Sequence, residues 1–201
     1  MKCVCKNRQV AQSYAQAGLR KSAQPLSSAV IFARNSKEKH IMKSTVYIES
    51  SVISYLASRP SRDIIIAGRQ AITNDWWKNH RHRFELRISI LVEEEISRGD
   101  PSVANLRIEM IEGIPSLSIS DEATKIAGLL LSQGAVPTGN EEDALHIGIA
   151  AAQGADYLLT WNFKHINNAE TKVAITRVVE SCGYACPQLC SPEELGGISN
   201  D

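Results

Sequence analysis

From Met42 onward, short runs rich in β-branched and aromatic residues alternate with stretches of helical character. That alternation constrains the fold more than any other feature of the chain. "STVYIE" (44–49), "FELRIS" (84–89), "SLSIS" (116–120) and "YLLTW" (157–161) read as strands, with "PQLCSP" (187–192) as an edge strand. Between them lie helical segments. "SVISYLAS" ends at Pro60, and a long helix follows over 61–81 with Ser61 as its cap and apolar residues at 65, 66, 72, 76 and 77. "ILVEEEISRG" closes on Gly99, and the next helix takes Asp100 as cap and Pro101 as its first residue. "DEATKIAGLLLSQGA" starts on acids, "NEEDALHIGIAAAQGA" is apolar nearly all round and therefore expected to be buried, and "ETKVAITRVVESCG" comes last. Strands separated by helices of this length need crossovers, so the expected fold is α/β, with a mainly parallel sheet covered on both faces. In such sheets ligands gather beyond the carboxyl ends of the strands.

The first 41 residues are a different object. They carry eight Lys and Arg against one acid, Glu38, a net +7, which leaves −7 for residues 42–201 and hides inside a formal total of zero. The segment is rich in Ser, Gln and Ala and shows no sustained period, so we expect a basic extension over 1–41 that stays outside the core. A mis-set start, with Met42 as the true first residue, is the leading account of it; a nucleic-acid-binding arm and a transit peptide follow. The domain itself is expected over 42–198. No apolar run approaches the roughly 18 residues of a membrane span, and the expected location is cytoplasmic. Five cysteines, split between the two ends, make no disulfide framework.

Carboxylates at the expected carboxyl end of the sheet carry the chemistry. Glu49 closes the first strand, where it would also favour the positive end of the following helix. In the run Glu93, Glu94, Glu95, a rotation of about 100° per residue puts Glu95 on the apolar side with Leu91 and Val92, and turns Glu93 and Glu94 away. A carboxylate on a buried face needs a partner, an arginine or a cation. Asp143 shares the side of Ile147 and Ala150 on the buried helix, with His146 one turn along as a structural or a functional histidine. After "YLLTW" come Asn162, Lys164 and His165; Asn162 caps its own turn or offers a neutral oxygen to a metal. Arg59, Arg62, Arg69 and the run Lys78, His80, Arg81, His82, Arg83, Arg87 are the local cations, read equally well as a phosphate track or as a solvated helix end. Trp76 and Trp77 read as core, dimer surface or partner groove.

Four pieces, "VYIESSVISYL", "SILVEEEISRGDP", "EDALHIGIAAAQGADYLLTWN" and "FKHINNA", together resemble a PIN domain of the kind found in VapC-like toxins of toxin–antitoxin pairs. The resemblance covers residues 42 to about 196. It implies a three-layer α/β/α sandwich and a metal-dependent endoribonuclease, the toxin of such a pair. It places Glu49, Glu95 and Asp143 as ligands of Mg²⁺ or Mn²⁺, Asn162 as an auxiliary oxygen, and Lys164 and His165 on the substrate phosphate. RNA substrate, an antitoxin protein and a homodimer are the implied partners. Two positions depart from the family pattern: Glu49 stands where an aspartate is usual, and Asn162 where an acid is common. The rival expectation is a PIN-like module with a degenerate site that binds RNA or a protein without cutting. A nucleotide-dependent phosphotransferase is disfavoured, because no Gly-rich loop follows the first strand.

Overall fold

The computed structural model describes residues 43–196. The basic extension expected over 1–41, and the alternative start at Met42, lie outside the described residues. Five strands form one parallel sheet: β1 (Thr45–Ile48), β2 (Glu85–Ser89), β3 (Ser116–Leu117), β4 (Tyr157–Leu159) and β5 (Gln188–Cys190), in the order β3-β2-β1-β4-β5. The helices are α1 (Ser50–Ala57), α2 (Ile64–Asp75), α3 (Ile90–Ile96), α4 (Pro101–Met110), α5 (Asp121–Ser132), α6 (Glu141–Ala152) and α7 (Ala169–Ser181). Register pairs Tyr47 with Arg87 on one side and with Leu158 on the other, so β1 is the centre of the sheet. The chain steps outward from β1 to β2 and β3, then crosses back to β4 and β5. Right-handed crossovers in opposite directions send the two helix sets to opposite faces. Accordingly α1 packs with α2, α3 and α4, and α5 packs with α6 and α7, giving a three-layer α/β/α sandwich.

Strand order reverses between β1 and β4, and the crevice above that reversal is where such sheets hold ligands. The core beneath it is continuous. Val46, Tyr47 and Ile48 of β1, Leu158 and Leu159 of β4, and Ile147 and Ile149 of α6 are all fully buried. Gly148 has a packing reason: a Cβ there would stand 2.3 Å from the Ala123 carbonyl oxygen, so its absence lets α6 lie directly on α5. Trp76 and Trp77 are core residues, Trp76 stacking on Phe84 at 6.0 Å.

Local differences from expectation have local causes. The α2 cap is Asp63, whose carboxylate accepts from the backbone N–H of Ile65 and Ile66, while the Ser61 hydroxyl accepts from Asp63 N. The first turn of α2 leaves Ile64 85% exposed, with Ile65 and Ile66 also open. At its other end the helix widens into a π turn over Trp76–His80 and a short 3₁₀ turn over Arg81–Arg83. Cys190 is buried on β5, and Cys182 and Cys186 pack partly buried against the core. No described helix is long and apolar enough to cross a membrane.

Candidate functional site

Glu49 follows β1 and caps α1. The capping role expected of any acid at that turn is real, because Oε1 accepts from Ser51 N at 3.1 Å and from Ser50 Oγ at 2.8 Å. The other oxygen is held from the next strand. Oε2 accepts from Thr160 Oγ1 at 2.7 Å and from the Ser51 hydroxyl. Both hydroxyls are themselves oriented: Ser51 Oγ accepts from Trp161 N at 2.9 Å and Thr160 Oγ1 from Asn162 N at 2.9 Å, so their protons point at Glu49. The side chain is 5% exposed, and all its lone-pair directions are occupied by these four donors.

Glu95 comes from α3, on the side its helical phase assigned. Its partner is His146 in place of an arginine: Glu95 Oε2 lies 2.9 Å from Nε2 of a ring that is 1% exposed. The opposite ring nitrogen, Nδ1, lies 2.8 Å from the Tyr47 hydroxyl, which lies 2.7 Å from Ser89 Oγ, the cap of α3. A buried chain of polar groups thus runs from α3 through β1 to α6 and back to α3. Burial alone would raise the Glu95 carboxyl, but the hydrogen bond and charge of His146 outweigh it and hold the group below its usual value. Burial alone would lower His146; its hydrogen bond to Glu95 and the charges of Glu49, Glu95 and Asp143 hold it above. Burial pushes the Tyr47 phenol well up, so it stays an O–H.

Asp143 stands one turn before His146 on α6, and its carboxylate is engaged on both oxygens. Oδ1 accepts from Asn162 Nδ2 at 2.9 Å, and Oδ2 lies 2.7 Å from His165 Nδ1. The Asn162 amide oxygen turns into its own loop, where it accepts from Lys164 N at 3.2 Å and His165 N at 3.0 Å. Asn162 therefore positions Asp143 and shapes the loop. Thr160 couples the two halves, donating to Glu49 and accepting from Asn162 N.

Among the described residues, ligand atoms of Glu49, Glu95 and His146 lie within 4.8 Å of one another. Asp143 is not in that group of three, and His146, which one-turn spacing from Asp143 marked only as ambiguous, is. This donor set suits a divalent ion. Holding an ion there would require the proton between Glu95 Oε2 and His146 Nε2, 2.9 Å apart, to leave, since only the unprotonated imidazole nitrogen is a ligand. Carboxylate oxygens suit Mg²⁺ and Mn²⁺ alike, whereas an imidazole favours the transition metal.

The basic run lies elsewhere. Lys78 to Arg83 precede β2 and so sit at the amino end of the sheet, with Lys43 Nζ donating to His82 O at 2.7 Å; β2, about 16 Å long, separates them from the site. Arg81 lies over the Trp77 ring and Arg87 pairs with Glu85, uses that answer to the solvated-end reading. Arg69 is different: its guanidinium lies over Trp161 and Phe163, at the carboxyl end.

No protein-family model matches the chain, and no curated protein matches it. Among solved structures, one likeness is to the VapBC2 complex of Rickettsia felis, crystallised bound to a DNA fragment from its promoter. The TM-score is 0.43 and the identity 16%, covering 73% of this chain and 98% of that one. The sandwich rests on its own strand order and helix packing.

Proposed function

We propose that this protein is a divalent-metal-dependent endoribonuclease and the toxin of a toxin–antitoxin pair, acting in the cytoplasm. The observation that carries the reading is the convergence of Glu49, Glu95 and His146, with Asp143 alongside, above the point where strand order reverses. Glu49, Glu95 and Asp143 are the acids of the centre, His146 adds a nitrogen donor, and Mn²⁺ is favoured over Mg²⁺. The ion supplies a lowered pKa for an attacking water and positive charge against the phosphate. The chain's own residues do the rest. Thr160, Ser50 and Ser51 hold Glu49, Tyr47 holds His146, and Asn162 holds Asp143. Lys164, exposed on the same loop, and His165 face the substrate phosphate. An antitoxin or a second copy would cover the open Ile64, Ile65 and Ile66 turn.

One observation favours the second reading, a PIN-like module that binds without cutting: the four donors already on Glu49. Ser50 decides between them locally. Its hydroxyl accepts from no backbone N–H among the described contacts, so it can turn away and free one lone pair of Glu49 Oε1, which Ser51 N continues to hold. The test is cleavage of labelled RNA by the full chain with Mn²⁺ or Mg²⁺, beside Glu95→Ala and Asp143→Ala. Wild type should cut and both variants should lose at least about a hundredfold in rate. Intact RNA in every lane, or equal cutting in all three, removes the nuclease reading.

A further inference from the structure

The loop that holds Asp143 also presents an aromatic face. Phe163 directly follows Asn162 and is 37% exposed, while its neighbour Trp161 is buried and anchored by Nε1 donating to Thr73 Oγ1 at 2.8 Å. The Phe163 ring meets Trp161 edge-on at 5.9 Å, and Tyr55 backs Trp161 at 5.8 Å. Arg69 of α2 places its guanidinium 5.0 Å from the Phe163 centroid and 5.5 Å from that of Trp161. Neither Arg69 nor Lys164 is in any ion pair among the described residues. Arg69, without an acid partner among the described residues, therefore lies against an exposed ring, with Lys164 next in the chain, near a group of acids that would repel a phosphate chain. A ring fixed by packing, with cations beside it, is how proteins hold an unpaired base and its phosphate.

We propose that Phe163 and Arg69 form a stacking step for one unpaired nucleobase beside the cut, and so are substrate-binding residues of that site. The inference rests on the nuclease reading and adds two residues that hold the substrate of that site. A duplex keeps its bases stacked on one another and offers no face to Phe163.

The test measures binding by fluorescence anisotropy with a labelled, unstructured RNA oligonucleotide and the full chain in EDTA, so that nothing is cut. Repulsion from the acids is then the same in every sample. Phe163→Ala and Phe163→Leu should each weaken binding about tenfold or more, Phe163→Trp should retain it, and Arg69→Ala should weaken it while Arg69→Lys falls between. Leucine keeps the apolar bulk without the π face, and thermal melting of each variant checks folding. A 2-aminopurine in the oligonucleotide should be quenched by wild type and not by Phe163→Leu. Wild-type affinity in Phe163→Leu, equal affinity for a duplex of the same length, or no RNA binding by wild type overturns the proposal. The two readings fail separately: loss of stacking in the Phe163 variants with no Mn²⁺-dependent cutting by wild type sinks the nuclease alone. Cutting by wild type with unchanged binding in the Phe163 variants sinks the stacking step alone.

Discussion

Tyr47 shows how a single buried hydroxyl can govern a site it does not enter. Its O–H lies between Ser89 Oγ and His146 Nδ1, and His146 in turn fixes the Glu95 carboxylate. Tyr47→Phe keeps the ring and removes that link, leaving buried groups unpaired; a loss of about 1–3 kcal/mol is expected by chemical denaturation. Because outer partners of a ligand tune affinity, the same variant should weaken Mn²⁺ binding about tenfold or more, read by titration. The pair also sets a pH dependence in the metal-free chain. Glu95 is lowered, so its contribution is present above the ordinary carboxylate value and lost as pH falls through the folded one. His146 is raised, so its contribution is present below the ordinary imidazole value and lost as pH rises through the folded one. Melting temperature in EDTA should therefore peak between about pH 4.3 and 6.5, and His146→Asn should flatten that peak. Glu49 and Glu95 were legible in the sequence because strand end and helical phase are local properties. The Glu95–His146 pair was not, since it depends on how α3 and α6 are set on either side of β1.

Helix α6 carries the tightest constraint among the elements. It bears Asp143 in its first turn and His146 in its second, and it lies on α5 where Gly148 faces the Ala123 carbonyl. Gly148→Ala would set a Cβ 2.3 Å from that backbone oxygen, forcing the helices apart. The expected cost is about 1–3 kcal/mol of stability, opposite in sign to the gain alanine gives in an open helix, and equilibrium unfolding reads it directly. The buried character of α6 was legible because its residues are apolar all round, and the caps at Asp100 and Pro101 follow from residue type alone. The fate of Ile64, Ile65 and Ile66 was not. Apolar spacing marks a helical face, but whether anything covers the face depends on tertiary packing, and the turn that Asp63 starts has its three isoleucines open.

Across the whole molecule, strand order explains why distant segments of chain converge. β1 and β4 are neighbours although more than a hundred residues separate them, and their carboxyl ends bring Glu49 and Thr160 into contact. The same topology places the Lys78–Arg83 run at the far end of the sheet, so charge-reversal there should leave RNA cutting within about twofold while Lys164→Glu lowers it. Parallel pairing was legible from the alternation of strands and helices; the switch at β1 and β4 was not, because strand order leaves no local mark on composition. The most direct test of the account follows Mn²⁺ binding by electron paramagnetic resonance and RNA cutting in one titration of the full chain. The same Mn²⁺ concentration should half-saturate both signals, and Glu95→Gln should shift both to higher concentration together. Cutting that persists in EDTA, or cutting in wild type with no bound Mn²⁺ displaced by the Glu95 substitution, would contradict it.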